Sequence, residues 1–96
     1  MLIDELHNKK DIITSIASKY GANNIQIFGS VARQEETEES DIDILISLPR
    51  GYDMFKQRIP LQEELMEVLG RKVDLIVKHE INKHLKSEIL GNARNL

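Results

Sequence analysis

From Asp41 to Leu48 the chain alternates without a break: Asp41, Asp43, Leu45 and Ser47 fall on one parity, Ile42, Ile44, Ile46 and Leu48 on the other. That is the period of a half-buried strand, so both aspartates leave the same face. Their α-carbons would lie about 6.5 to 7 Å apart, too far for a mutual hydrogen bond but suited to two carboxylates converging on one cation. Ser40 and Asp41 can be assigned to the turn that opens the strand. Asp43 cannot, because aspartate is disfavoured inside strands, and its position calls for a chemical reason.

Upstream, the short apolar strand Ile25 to Phe28 runs into Gly29-Ser30 and then Val31-Ala32-Arg33, which can start a helix with Ser30 as its N-cap. Gly29 lets backbone approach a ligand closely, and free amides at a helix start favour an anion. A Gly-Ser dipeptide alone reads as an ordinary turn. Joined to Asp-x-Asp on the next strand it reads differently. A phosphate cradle beside two carboxylates suits Mg²⁺-dependent phosphoryl or nucleotidyl transfer, since Mg²⁺ takes one or two carboxylates plus the substrate's own phosphate oxygens.

Gly29-Ser30-Val31-Ala32-Arg33 followed by Ser40-Asp41-Ile42-Asp43 resembles the Gly-Ser-x-Ala-Arg … Ser-Asp-x-Asp signature of the minimal nucleotidyltransferase family, within the DNA polymerase β-like superfamily. The resemblance covers nearly the whole chain. In that family a glycine often follows the arginine; here the residue is Gln34. Arg33 has two readings, a contact to nucleotide phosphate or partner, or a surface cation pairing with the glutamates that follow.

Lys72 to Val77 alternates as a third strand, with Asp74 opposite in parity to Val73, Leu75 and Val77. On a strand about 4.8 Å from that of Asp41 and Asp43, Asp74 could complete a three-carboxylate cluster; the competing reading is a salt bridge to Arg71 or Lys72. The resemblance matches Asp74 to the family's third acidic residue, a general base or further metal ligand.

Ninety-six residues, 41% of them hydrophobic, make one small domain spanning residues 1–96 with a modest core. A net charge of −3 and only four aromatics argue against a stand-alone nucleic-acid binder. Cysteine is absent, which excludes disulfides and thiolate metal sites. Asp4 and Glu5 interrupt the start where a signal peptide needs an apolar run, and apolar runs never exceed three residues. A cytoplasmic protein without a membrane segment is expected.

Around the motifs, Leu2 to Tyr20 reads as an amphipathic helix with Lys9 breaking its stripe, ended by Gly21. Gln34 to Glu39 reads as a solvated acidic loop. Asp53 to Arg58 reads as a short helical segment with Met54 and Phe55 packed inward. Pro60 starts a helix presenting Leu61, Leu65, Val68 and Leu69 and ending at Gly70, and Ile81 to Ala93 forms the last helix. His79-Glu80 and His84 lack the spacing of a zinc-protease helix. His7 and Asn8 read as surface residues.

The expected fold is α/β, a small mixed sheet of the polymerase β-like nucleotidyltransferase type with helices on one face and carboxylates on the other. The expected site is Asp41 and Asp43 on Mg²⁺, Gly29 and Ser30 on the phosphates of ATP with Arg33 nearby, and Asp74 as base or metal ligand. The resemblance further implies an antitoxin that transfers AMP to a tyrosine of a HEPN-type ribonuclease toxin, in a homo- or hetero-oligomer. Two alternatives stay open: an antitoxin acting by contact alone, or the catalytic subunit of a small-molecule nucleotidyltransferase such as an aminoglycoside-modifying one.

Overall fold

The computed structural model describes residues 2–96. Four strands form one mixed sheet: β1 (Asn23–Phe28), β2 (Ile42–Ser47), β3 (Val73–Val77) and β4 (Arg94–Asn95), in the order β3-β2-β1-β4. β1 is antiparallel to β2 and to β4, whereas β2 and β3 are parallel, joined by a crossover that carries a helix. The helices are α1 (Leu2–Asn8), α2 (Lys10–Lys19), the single turn α3 (Gly29–Ala32), α4 (Ile59–Leu69) and α5 (Lys83–Asn92). No helix among the described residues is long and apolar enough to cross a membrane.

The alternation in β2 works as its period requires. Ile42, Ile44 and Ile46 pair in register with Val73, Leu75 and Val77, all buried, and join Ile27 of β1 in the core. Helices α1, α2 and α4 cover that face through Leu6, Ile13, Ala17, Leu61 and Leu65. Burying each such side chain is worth about 1.5 to 3 kcal/mol, and this core is what the rest hangs on. The opposite parity carries Asp43 and Asp74, yet Leu45 on that parity is fully buried and stands apart from the main core. α5, which packs against α3 and β1, is the element left to cover that face beyond the aspartates.

Four expectations are corrected. The first helix is two: Lys9 is non-helical, its amide shared between the carbonyls of Glu5 and Leu6, so the break in the stripe is a break in the helix. The Asp53–Arg58 segment is a π-helical turn over Met54–Arg58, held by the Asp53 carboxylate accepting from the amides of Phe55 and Lys56 at 2.9 Å. Cap and turn point Phe55 outward, where it is 80% exposed, and Met54 is exposed as well. The last helix starts later than its apolar spacing suggests, because the Asn82 side chain caps it by accepting from the His84 amide at 2.8 Å. The residues beyond it turn extended and add β4 to the sheet edge, where Leu96 is buried.

The acidic spacer is also built rather than merely solvated. The Arg71 guanidinium donates to the carbonyls of Thr37 and Ser40, both at 3.1 Å, and the Ser40 hydroxyl accepts from the Thr37 amide at 2.8 Å. Glu36 turns inward and accepts from the Leu2 amide at the start of α1. The spacer begins with Gln34 at φ +59°, in the left-handed region that glycine adopts at no steric cost. A non-glycine residue there carries roughly 1 kcal/mol or more of strain, partly offset by glycine's larger unfolded-state entropy. Gln34→Gly is therefore expected to raise the unfolding free energy by up to about 1 kcal/mol in urea melts, while Gln34→Val lowers it by about 1 kcal/mol or more. A loss of stability with glycine would contradict this account of the turn.

Candidate active site

The site forms where β1 ends against the start of β2. Phe28 is the register partner of Asp43, so Gly29 lies directly over the Asp43 side chain. Gly29 has φ +71°, and a Cβ built on it would overlap the Asp43 carboxylate, standing 3.1 Å from its Cγ. Glycine is needed here twice, for the backbone angle and for the room it leaves.

Ser30 is not the N-cap that its sequence position suggests. α3 begins at Gly29, with extended Phe28 in the cap position and no side-chain cap. Within this single turn the Arg33 amide donates to Gly29 O at 3.1 Å and the Glu35 amide to Ser30 O at 2.8 Å. Among the described residues the Ser30 hydroxyl has no hydrogen-bond partner and stays available.

The parallel register places Asp74 beside Asp43, on the same face. Asp43 is half-buried and Asp74 exposed; Asp41, also half-buried, precedes β2. Burial first, then the negative charges of Asp74 and of Asp41, push the Asp43 carboxyl above the usual carboxylate range, with Arg33 pulling the other way. Asp41, Asp74 and Arg33 thus all act electrostatically on Asp43. The alternative for Asp74 is not realised: among the described residues it makes no ion pair, Arg71 being engaged with the spacer carbonyls. Arg33 realises the second of its two readings, pairing with Glu35 at 3.2 Å, and its charge also acts on Asp43.

Among the described residues no three His, Cys, Asp or Glu side chains close into a ready-made metal cage. Mg²⁺ does not require one, because it retains waters and completes its shell with substrate phosphate. A crowded, partly desolvated carboxylate with no cation paired to it is the donor set that a small dication fits.

A family model described as "Nucleotidyltransferase domain" matches residues 9–96. The chain belongs to the nucleotidyltransferase domain family. A candidate protein adenylyltransferase of Methanocaldococcus jannaschii is 41% identical over 93 residues, 97% of this chain and 96% of that protein. A protein adenylyltransferase named MntA, of Thermococcus cleftensis, is 33% identical over 78% of this chain and 75% of its own length. Among solved structures, a minimal nucleotidyltransferase superposes with a TM-score of 0.86 at 29% identity, covering 100% of this chain and 97% of the other. A toxin–antitoxin structure with AMP-PNP has the same fold, with a TM-score of 0.75 at 23% identity over 92% of this chain and 71% of the other. The α/β nucleotidyltransferase fold expected from the motifs is the fold found.

Two residues that organise the site escape the motif. Arg71 follows a helix-ending glycine and resembles any surface cation, and nothing local indicates that it holds the Asp41 approach. Glu36 is one of several glutamates in a row, and only its long-range contact with α1 distinguishes it.

The raised Asp43 pKa sets a sign. The native state holds this proton to higher pH than the unfolded chain, so its contribution to stability falls as pH rises through the window between the ordinary carboxylate pKa and the raised folded value. Above that window the deficit persists. Asp43→Asn is expected to raise the metal-free melting temperature at pH 7 and to remove this fall of stability with rising pH, leaving a steeper rise of stability from acid to neutral pH. Gly29→Ala should lower stability by about 1 to 2 kcal/mol, and a thermal melt series from pH 3 to 8 measures both.

Proposed function

We propose that this chain transfers AMP from ATP, with Mg²⁺, to a hydroxyl of a partner protein, a tyrosine of a HEPN-type toxin, and so acts as its antitoxin. The observation that carries the reading is Asp43, packed under Gly29 and set in register with Asp74. The names of the Methanocaldococcus and Thermococcus relatives support protein adenylylation. The toxin–antitoxin structures of the same fold, one of them with AMP-PNP, support a toxin partner and an adenine nucleotide.

In this reading Asp41 and Asp43 would hold the metal, which supplies positive charge to the nucleotide's phosphates. The Gly29 and Ser30 region contributes amide donors and the unengaged Ser30 hydroxyl to the same phosphates. Arg33 adds a cation at the rim of the site. Asp74, exposed beside Asp43, accepts the proton of the incoming hydroxyl. The acceptor oxygen bonds to the α-phosphorus as the bond from that phosphorus to the bridging oxygen breaks, and pyrophosphate leaves. Fixing these groups on a rigid sheet supplies positioning and preorganised charge.

The roles of Asp43 and Asp74 separate experimentally. With the adjacently encoded protein as acceptor and Mg-ATP present, intact-mass spectrometry should show added AMP, and peptide mapping should place it on tyrosine. Asp74→Asn should cut the transfer rate at least about 100-fold while keeping the thermal shift given by Mg-ATP. Asp43→Asn should lose both. Tight binding of an unmodified neighbour would replace transfer with inhibition by contact.

A further inference from the structure

At the opposite end of β2 from the aspartates lies a second feature that the transfer reading does not use. Ser47, on the parity of Asp43 but about 13 Å further along the strand, borders a recess of about 340 Å³ with Leu48, Arg50, Lys78, His79 and Lys86. In a chain of net charge −3, this lining has three formal cations, a histidine and no carboxylate.

The cations come from three separate places, the turn after β2, the 3₁₀ turn after β3 (Lys78–Glu80) and helix α5. Sequence adjacency therefore does not explain their convergence. Among the described residues none of the four forms an ion pair, whereas Lys19, Arg33 and Arg58 each have a glutamate partner. The nearest candidate counter-ion in sequence, Glu80, is engaged elsewhere: one oxygen accepts from the Tyr52 hydroxyl at 2.8 Å and the other from Arg58 at 3.2 Å. Arg58 is fixed in turn by donating to the carbonyl of Leu75 at 3.0 Å. The Tyr52 ring meets His79 edge-on, with centroids 6.4 Å apart. Ser47 Oγ accepts from Asn24 at 3.5 Å, which leaves its O–H free to donate. The fold thus engages Glu80 away from the recess, and no carboxylate lines it. A cleft lined by one sign of charge concentrates counter-ions, and ammonium, guanidinium and hydroxyl donors together match the several oxygens of a phosphate chain.

From this convergence of Arg50, Lys78, His79 and Lys86 with the Ser47 hydroxyl, we infer a second anion site that takes a di- or triphosphate group, free or as the tail of a nucleotide. It is separate from the phosphate contact at Gly29 and Ser30 and does not depend on the transferase reading.

The test is titration of ¹⁵N-labelled full-length protein with sodium tripolyphosphate, without Mg²⁺, at low ionic strength. Amides of Ser47, Lys78, His79 and Lys86 should shift together. In Lys78→Glu/Lys86→Glu, and in the single Lys86→Glu at an exposed position, their affinity should weaken at least tenfold, with the remaining spectrum unchanged. A parallel titration with ATP distinguishes a nucleotide tail from free oligophosphate, and either one shifting the recess supports the site. Shifts confined to Gly29 and Ser30 would overturn the inference, as would recess shifts of undiminished affinity in the charge-reversed variants. A response to a poly-glutamate peptide but not to tripolyphosphate would also overturn it, in favour of an acidic protein segment.

Discussion

The pairing of β2 with β3 is the constraint on which the rest of this structure depends. One register does two things: it sets Ile42, Ile44 and Ile46 beside Val73, Leu75 and Val77, and it sets Asp43 beside Asp74. A slip of either strand by one residue would drive its aspartate into the core and expose its aliphatic set, so the apolar face enforces the charged one. Like charges opposite each other in a sheet are destabilising by a fraction of a kcal/mol up to about 1 kcal/mol. Burial of the facing aliphatic side chains, at about 1.5 to 3 kcal/mol each, outweighs that repulsion several times over. The apolar register can therefore keep Asp43 and Asp74 side by side against their repulsion.

Around this pair the remaining devices are local. β1 delivers Gly29 onto Asp43 because Phe28 is its register partner. The return from α3 to β2 is tied at both ends, by Gln34 in a left-handed turn and by Arg71 on the carbonyls of Thr37 and Ser40. The Ile42 amide donates to Lys72 O at 2.9 Å, closing the corner just after Asp41. Asp41 thus sits on a tethered segment rather than a free loop, and its approach to Asp43 is set by backbone hydrogen bonds.

Much of this was legible in the sequence, for identifiable reasons. The strand parities of β2 and β3, the glycine-serine turn and the carboxylate pairing all follow from period two and from residue types with few alternative uses. What escaped was decided at long range or by polar contacts. Met54 and Phe55 look like core residues by composition, but the Asp53 cap and the π-helical turn orient them outward. Ser30 looks like an N-cap, but Gly29 is free to take a positive φ and starts the turn one residue earlier. β4 has two residues and no pattern of its own; it exists because β1 has an unpaired edge. Arg71 and Glu36 act across more than thirty residues of chain, a separation at which a single sequence carries no signal.

The charge layout gives the two ends of β2 opposite characters. Asp41 and Asp43 lie at its start; Ser47 and a cationic recess lie at its finish. Among the described residues neither the aspartates nor the cations of the recess form an ion pair, and neighbouring partners are engaged elsewhere: Arg71 by the spacer carbonyls, Glu80 by Tyr52 and Arg58. Uncompensated charge lowers the stability of the free protein and strengthens binding to whatever neutralises it, since the repulsion is relieved only in the complex. In a site for nucleotidyl transfer this arrangement is productive, because the oriented charges are in place before the substrate arrives and need not reorganise as the reaction proceeds.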